Sequence, residues 1–154
     1  MSEESKTLMD AVMDVWRESL MPTINQALDL APVDKLDWAP AKDMMSLGNI
    51  FLHISETSDW WYGEVMKGNE SKELTTGSLP PKSEIAERMN THSARMERFF
   101  AEPTEALVRI YDLQRRDRVF TYSGYWILTH LLEHDIHHRS QINQYLRILG
   151  ITPP

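Results

Sequence analysis

Apolar residues recur at helical spacing in four separate stretches of this chain, and that period restricts it to a mostly helical fold. The first stretch runs from about Lys6 to Leu30, with Leu8, Val12, Val15, Trp16 and Leu20 as its stripe. Pro22 is expected to kink or break this helix near its end, because proline lacks the backbone donor and clashes one turn back. A loop from Pro32 to Asp43 follows, where Trp38 is placed to cap the core from outside. The second helix starts at Ser46, a good N-cap, and runs to about Lys67, with Gly68 as its stop. Leu47, Ile50, Phe51, Ile54, Trp61 and Val65 form its apolar face. Residues 68–81 are turn-rich and read as a loop. Ile85, Met89, Met96 and Phe99 mark a third helix from about Ser83 to Ala101, ended by Pro103. Residues 104–121 carry RIYDL and RVFTY around the charged turn QRRDR, a long connection expected to hold a short hairpin. The last helix runs from about Ser123 to Leu149, with Gly150 at the position after its cap. Four helices without a convincing sheet predict an all-α, four-helix bundle.

A length of 154 residues suits one domain over 1–154. Roughly 70% of the unfolded surface can then be buried, so no staple is needed to hold the fold. The chain has no cysteine, which excludes disulfides, zinc–thiolate sites and a thiol nucleophile of its own. The net charge of -7 disfavours phosphate backbones, and no basic patch reverses it locally, so nucleic acid is not an expected partner. No apolar run is long enough to span a membrane. The N-terminus MSEESKTLMD is acidic and lacks the apolar segment of a signal peptide, so a cytoplasmic location is expected.

Four of the six histidines fall on the last helix: His130, His134, His137 and His138. On a helical wheel, Ile127, Leu131, Ile142, Tyr145 and Leu149 define the buried arc. His134 and His138 lie inside it, four residues apart and stacked one turn above the other, while His130 and His137 lie on its edge. Two imidazoles so spaced can grip one metal ion. Without a ligand, each buried ring must stay neutral and find partners for two nitrogens. The third ligand must come from a facing helix. His53, beside Ile50 and Ile54, is the first candidate. His92, on the stripe of the third helix, is the alternative, or else a core histidine hydrogen-bonded to the backbone. Three histidines leave one coordination position open, the pattern of catalytic sites.

HDIHH differs from the H-E-x-x-H metalloprotease helix, because Asp135 stands where that motif needs a glutamate base. Glu56, three residues after His53, is placed to approach the metal or orient a ligand. Glu133 and Asp135 flank His134 and read as solvated charges or as partners of ligand nitrogens. Of the adjacent Trp60 and Trp61, one is expected in the core and the other on the wall of a pocket above the metal.

DKLDWAPAKDMMSLGNIFLHISETSDWW and LTHLLEHDIHHRSQINQYLRILG resemble the DinB family of metal-dependent proteins. The first has the tryptophan–x–proline loop, the Ser-Leu helix start and the helix-2 histidine. The second has the H-x-x-x-H-x-x-H-H-R-x-Q pattern and the closing Leu-Arg-x-x-Gly. Ser140 departs from the glycine that usually follows the arginine. The resemblance implies a four-helix bundle, usually dimeric, with a divalent ion such as zinc or nickel on His53, His134 and His138. It also implies thiol-dependent chemistry, namely transfer of a low-molecular-weight thiol to a small electrophile. His137 or Glu56 would then move protons. A metal-dependent hydrolase and a non-catalytic metal- or ligand-binding stress protein are the competing readings.

Overall fold

Thr7 opens the first helix with a reciprocal cap: its Oγ1 accepts from Asp10 N at 3.1 Å, and Asp10 Oδ2 accepts from Thr7 N at 2.9 Å. In this computed structural model, which describes residues 7–73 and 77–154, the helix α1 (Leu8–Val15) does not end at the proline. It widens into a π-helical stretch, Trp16–Leu20, and continues as α2 (Met21–Leu30) with Pro22 in the first turn. The wide turn makes room for the proline ring, which would clash with the carbonyl one regular turn back. The expected break at Pro22 is thereby absorbed.

The expected stripe of α1 is corrected in its first half. Trp16 and Leu20 are buried, but Leu8 is 83% exposed and Val15 63% exposed, and Met13 enters the core instead. Beyond the loop with Trp38, whose ring meets Tyr145 edge-on at 5.7 Å, α3 (Leu47–Ser58) runs into a second π-helical stretch, Asp59–Met66. Gly68 follows with φ 70°, the left-handed conformation that ends a helix cheaply only at glycine. The third long helix is α4 (Lys82–Phe100).

The connection 101–123 contains a short helix, α5 (Thr104–Val108), and an antiparallel pair, β1 (Ile110–Arg115) and β2 (Arg118–Ser123). The purely helical expectation is corrected here: a two-stranded sheet stands where the short hairpin was expected. Its register pairs Tyr111 with Tyr122, Leu113 with Phe120 and Arg115 with Arg118. Side chains alternate along a strand. Tyr111, Leu113 and Arg115 therefore share one face, and the first two pack on the core.

Ser123 caps α6 (Gly124–Ile148) by accepting from Trp126 N at 3.1 Å. The far end closes with Ile151 N on Leu146 O at 2.9 Å and Gly150 N on Arg147 O at 3.0 Å, with Gly150 at φ 78°. The four long helical runs pack on one another, α3 against α4 and α6, and α2 against α4 and α6. Trp16, Ile24, Phe51, Met89, Phe99, Ile127 and Tyr145 are among the buried side chains between them.

Candidate metal centre

The contact of α3 with α6 brings His53 opposite His134 and His138. His134 Nε2 lies 3.1 Å from His53 Nε2 and 3.1 Å from His138 Nε2. The ligand atoms of all three lie within 4.8 Å of one another, so together they could hold a metal ion. Hydrogen bonds alone do not account for this cluster. A neutral imidazole has one donor and one acceptor nitrogen. His138 Nδ1 faces Gln141 Oε1 at 2.9 Å, which puts its proton there and leaves a bare lone pair on Nε2. His134 Nε2 can give one proton to one neighbour, not to both. A cation among three lone pairs removes the conflict. Metal–nitrogen bonds of about 2.0–2.1 Å in tetrahedral geometry separate the nitrogens by about 3.3–3.4 Å, close to the spacing here. His134 Nδ1 is buried without a hydrogen-bond partner among the described residues.

The electrostatics agree. Burial, reinforced by the charges His138 and His53 would carry, pushes the pKa of His134 down to about 2. Burial also lowers those of His53 and His138, opposed at His53 by Glu56 and at His138 by the bond to Gln141. All three rings are therefore held neutral, the form that ligates metal.

Beside the cluster opens a cavity of about 380 Å³. His53 and His134 reach into it, Trp60, Trp61 and His130 wall it, and Arg115 of β1 stands over it. Trp61 is buried in the core and Trp60 half-buried against it, and both line the cavity, where one of the pair was expected in the core and the other on the wall. Of the two proton-transfer candidates, Glu56 lines the cavity, whereas His137 is exposed and does not, although its ring lies 4.9 Å from that of His138.

Two expectations are corrected. Asp135 is not a solvated charge; it is 0% exposed and accepts from Trp16 Nε1 at 2.8 Å and His92 Nε2 at 2.9 Å. Its place was legible, since it stands four residues after Leu131 and seven before Ile142, both buried. His92 is a core histidine, but its partners are side chains rather than backbone: Asp135, and Ser58 Oγ at 2.8 Å from Nδ1. The polar chain continues outward. Arg95 donates to Ser58 Oγ at 2.8 Å and Glu73 Oε1 at 2.7 Å, and pairs with Asp59 at 3.3 Å. It ties the turn that bears His134 to the cavity wall. Glu133 is exposed. Arg115 and His130 were missed as site residues, because strand pairing and an aromatic cluster place them there.

The family model described as the DinB family matches residues 9–154. Among solved structures, the chain is similar to a DinB-like protein from Bacillus cereus, with 22% identity, a TM-score of 0.73 and 98% of each chain covered. It is also similar to a DinB-like protein from Bacillus subtilis, with 23% identity, a TM-score of 0.68, and 93% of this chain and 94% of that chain covered. No curated protein matches.

Proposed function

The chain belongs to the DinB family, and on that premise we propose that it is a metal-dependent transferase, in which His53, His134 and His138 hold one zinc or nickel ion. Its substrates would be a low-molecular-weight thiol and a small electrophile. The observation that carries this reading is the convergence of three neutral Nε2 atoms at the edge of an open cavity. A bound ion there would lower the pKa of a thiol enough to leave a thiolate at neutral pH. The chain has no cysteine to serve as nucleophile, so the sulfur comes from solution. The protein's own contribution is positional. Gln141 fixes the His138 tautomer, Trp60 and Trp61 shield the cavity from water, and Glu56 beside His53 takes or returns a proton.

The cavity also favours this reading over a closed, non-catalytic metal site, since an ion held by His53, His134 and His138 alone would have room for a further ligand, and His53 and His134 line the cavity. The same proposal includes a single-domain four-helix bundle, a cytoplasmic location and a homodimer. Among the described residues no helix is long and apolar enough to cross a membrane. The dimer finds support in the exposed Leu8 and Val12 of α1 beside Ile136 of α6. A monomeric mass in light scattering would overturn it.

The test has two stages. Metal content by plasma mass spectrometry is expected at about one ion per chain, lost in His53→Ala and His138→Ala and kept in His92→Ala. Thiol consumption over a panel of electrophiles is then expected only with metal. Absence of metal from the wild-type protein after incubation with zinc or nickel overturns the site. Hydrolysis of esters or amides without any thiol would replace transfer with hydrolysis.

A further inference from the structure

The cavity beside the histidines carries a second recognition element on its opposite side. Arg115 ends β1 on the strand face that Tyr111 and Leu113 use to pack on the core. A tight turn with Arg116 at φ 53° returns the chain to β2, so the guanidinium is presented by a paired hairpin rather than a loose loop. Its carbon sits 5.2 Å from the centre of the Trp60 ring. From there a continuous aromatic wall leads to the metal cluster. Trp60 meets Trp61 at 4.7 Å, Trp61 meets His130 at 5.5 Å, and His130 meets His134 at 6.2 Å. Trp126 stacks behind His130 at 5.0 Å and 16° between planes, which fixes that ring.

Charge gives the wall a direction. Arg115 is the one cationic side chain lining this cavity among the described residues. Among the described residues its guanidinium has no ion pair or side-chain hydrogen bond, so the donor fork is open to them. Two of the cavity's carboxylates are already engaged. Asp59 accepts from the amides of Lys72 and Glu73 and pairs with Arg95, and Glu73 pairs with Arg95 as well. Arg95 offsets part of their charge without drawing on Arg115, and the third carboxylate of the lining, Glu56, acts on His53.

We propose that this cavity binds a small planar carboxylate as the electrophilic substrate: its flat apolar body lies along Trp60, Trp61 and His130, and its carboxylate is held by Arg115. A planar guanidinium matches a carboxylate through two parallel hydrogen bonds, and rings against a flat π-system add contact at little entropic cost. As a substrate assignment this rests on the metal-dependent reading above; as a binding site it does not.

The test uses the full chain and two probes of the same planar skeleton, trans-cinnamate and trans-cinnamide, titrated by calorimetry. Each is run with zinc-loaded and with chelator-treated protein. Cinnamate is expected to bind the metal-free protein at least about tenfold more tightly than cinnamide. Arg115→Gln is expected to bring the two to the same affinity, Arg115→Lys to keep part of the preference, and Trp60→Leu to weaken both alike. Equal affinities in the wild type, no binding of either probe, or an unchanged ratio in Arg115→Gln overturns the proposal. So does a cinnamate preference present only with zinc and intact in Arg115→Gln, which places the carboxylate on the metal. If the wild type binds no metal but keeps the Arg115-dependent preference, the metal reading fails and this site stands.

Discussion

Removing the carboxylate of Asp135 tests how the core holds the metal helix. Its Oδ2 accepts from Trp16 of the first π-helical stretch and from His92 of α4, so three helical runs meet on one oxygen. Asp135 and His92 are both 0% exposed, and Trp16 is buried. Asp135→Ala leaves two buried N–H donors without an acceptor, at about 1–3 kcal/mol each. Loss of the carboxylate's own desolvation cost offsets part of this, so a net loss of about 3 kcal/mol is expected, at the low end for one-sided disruption of a buried pair. For a chain of this length that is a fall in Tm of about 6–12 °C. Urea unfolding followed by tryptophan fluorescence and far-ultraviolet circular dichroism measures it, with the slope unchanged if the unfolded state is unaffected. The triple variant Trp16→Phe, His92→Leu, Asp135→Leu removes donors and acceptor together. It is expected to lose less than the sum of its single variants. A loss below about 1 kcal/mol for Asp135→Ala, or strict additivity in the triple variant, refutes the reasoning.

Three further outcomes follow from the geometry. In metal-free protein His134 stays neutral down to about pH 2, whereas its unfolded counterpart protonates near the ordinary histidine value, so the unfolded state binds the extra proton as pH falls below about 6.5. Stability is then complete above that pH and drops by up to about 1.4 kcal/mol per unit below it; urea midpoints from pH 7.5 to 5 check this, and a slope no smaller in His134→Gln argues against it. Gln141→Leu removes the acceptor of His138 Nδ1–H and is expected to weaken zinc about 10–100-fold without unfolding the chain, as read by competition with a chromophoric chelator; unchanged affinity would mean the tautomer needs no such support. Gly124→Ala puts a Cβ 2.5 Å from Ala106 O and 2.8 Å from Leu107 Cα, both backbone, so a loss of about 1–3 kcal/mol is expected despite alanine's better helix propensity, and a raised Tm would contradict that close packing.

Helical period and end signals were local properties, and they carried the long helices. Ser123 and Gly150 bound α6 because capping depends on a few residues around the helix end. The pairing of His134 with His138 was equally local, since four residues along a helix fix which side chains stack. Which ring completes the trio was not local. His53 and His92 both sit on inward-turned helix stripes, and only the packing sends one to the cluster and the other to Asp135. The same holds for α1, where Leu8, Val12 and Val15 read as a buried stripe yet lie open, because the described residues leave those side chains uncovered. Arg115 is the plainest case. Nothing in QRRDR marks one arginine over another, and it is strand register, a long-range pairing, that turns this one toward Trp60. Sequence by itself determined which residues could do chemistry on each helix; tertiary packing decided which of them meet, because every contact at the site except the helix-internal ones joins residues far apart in the chain.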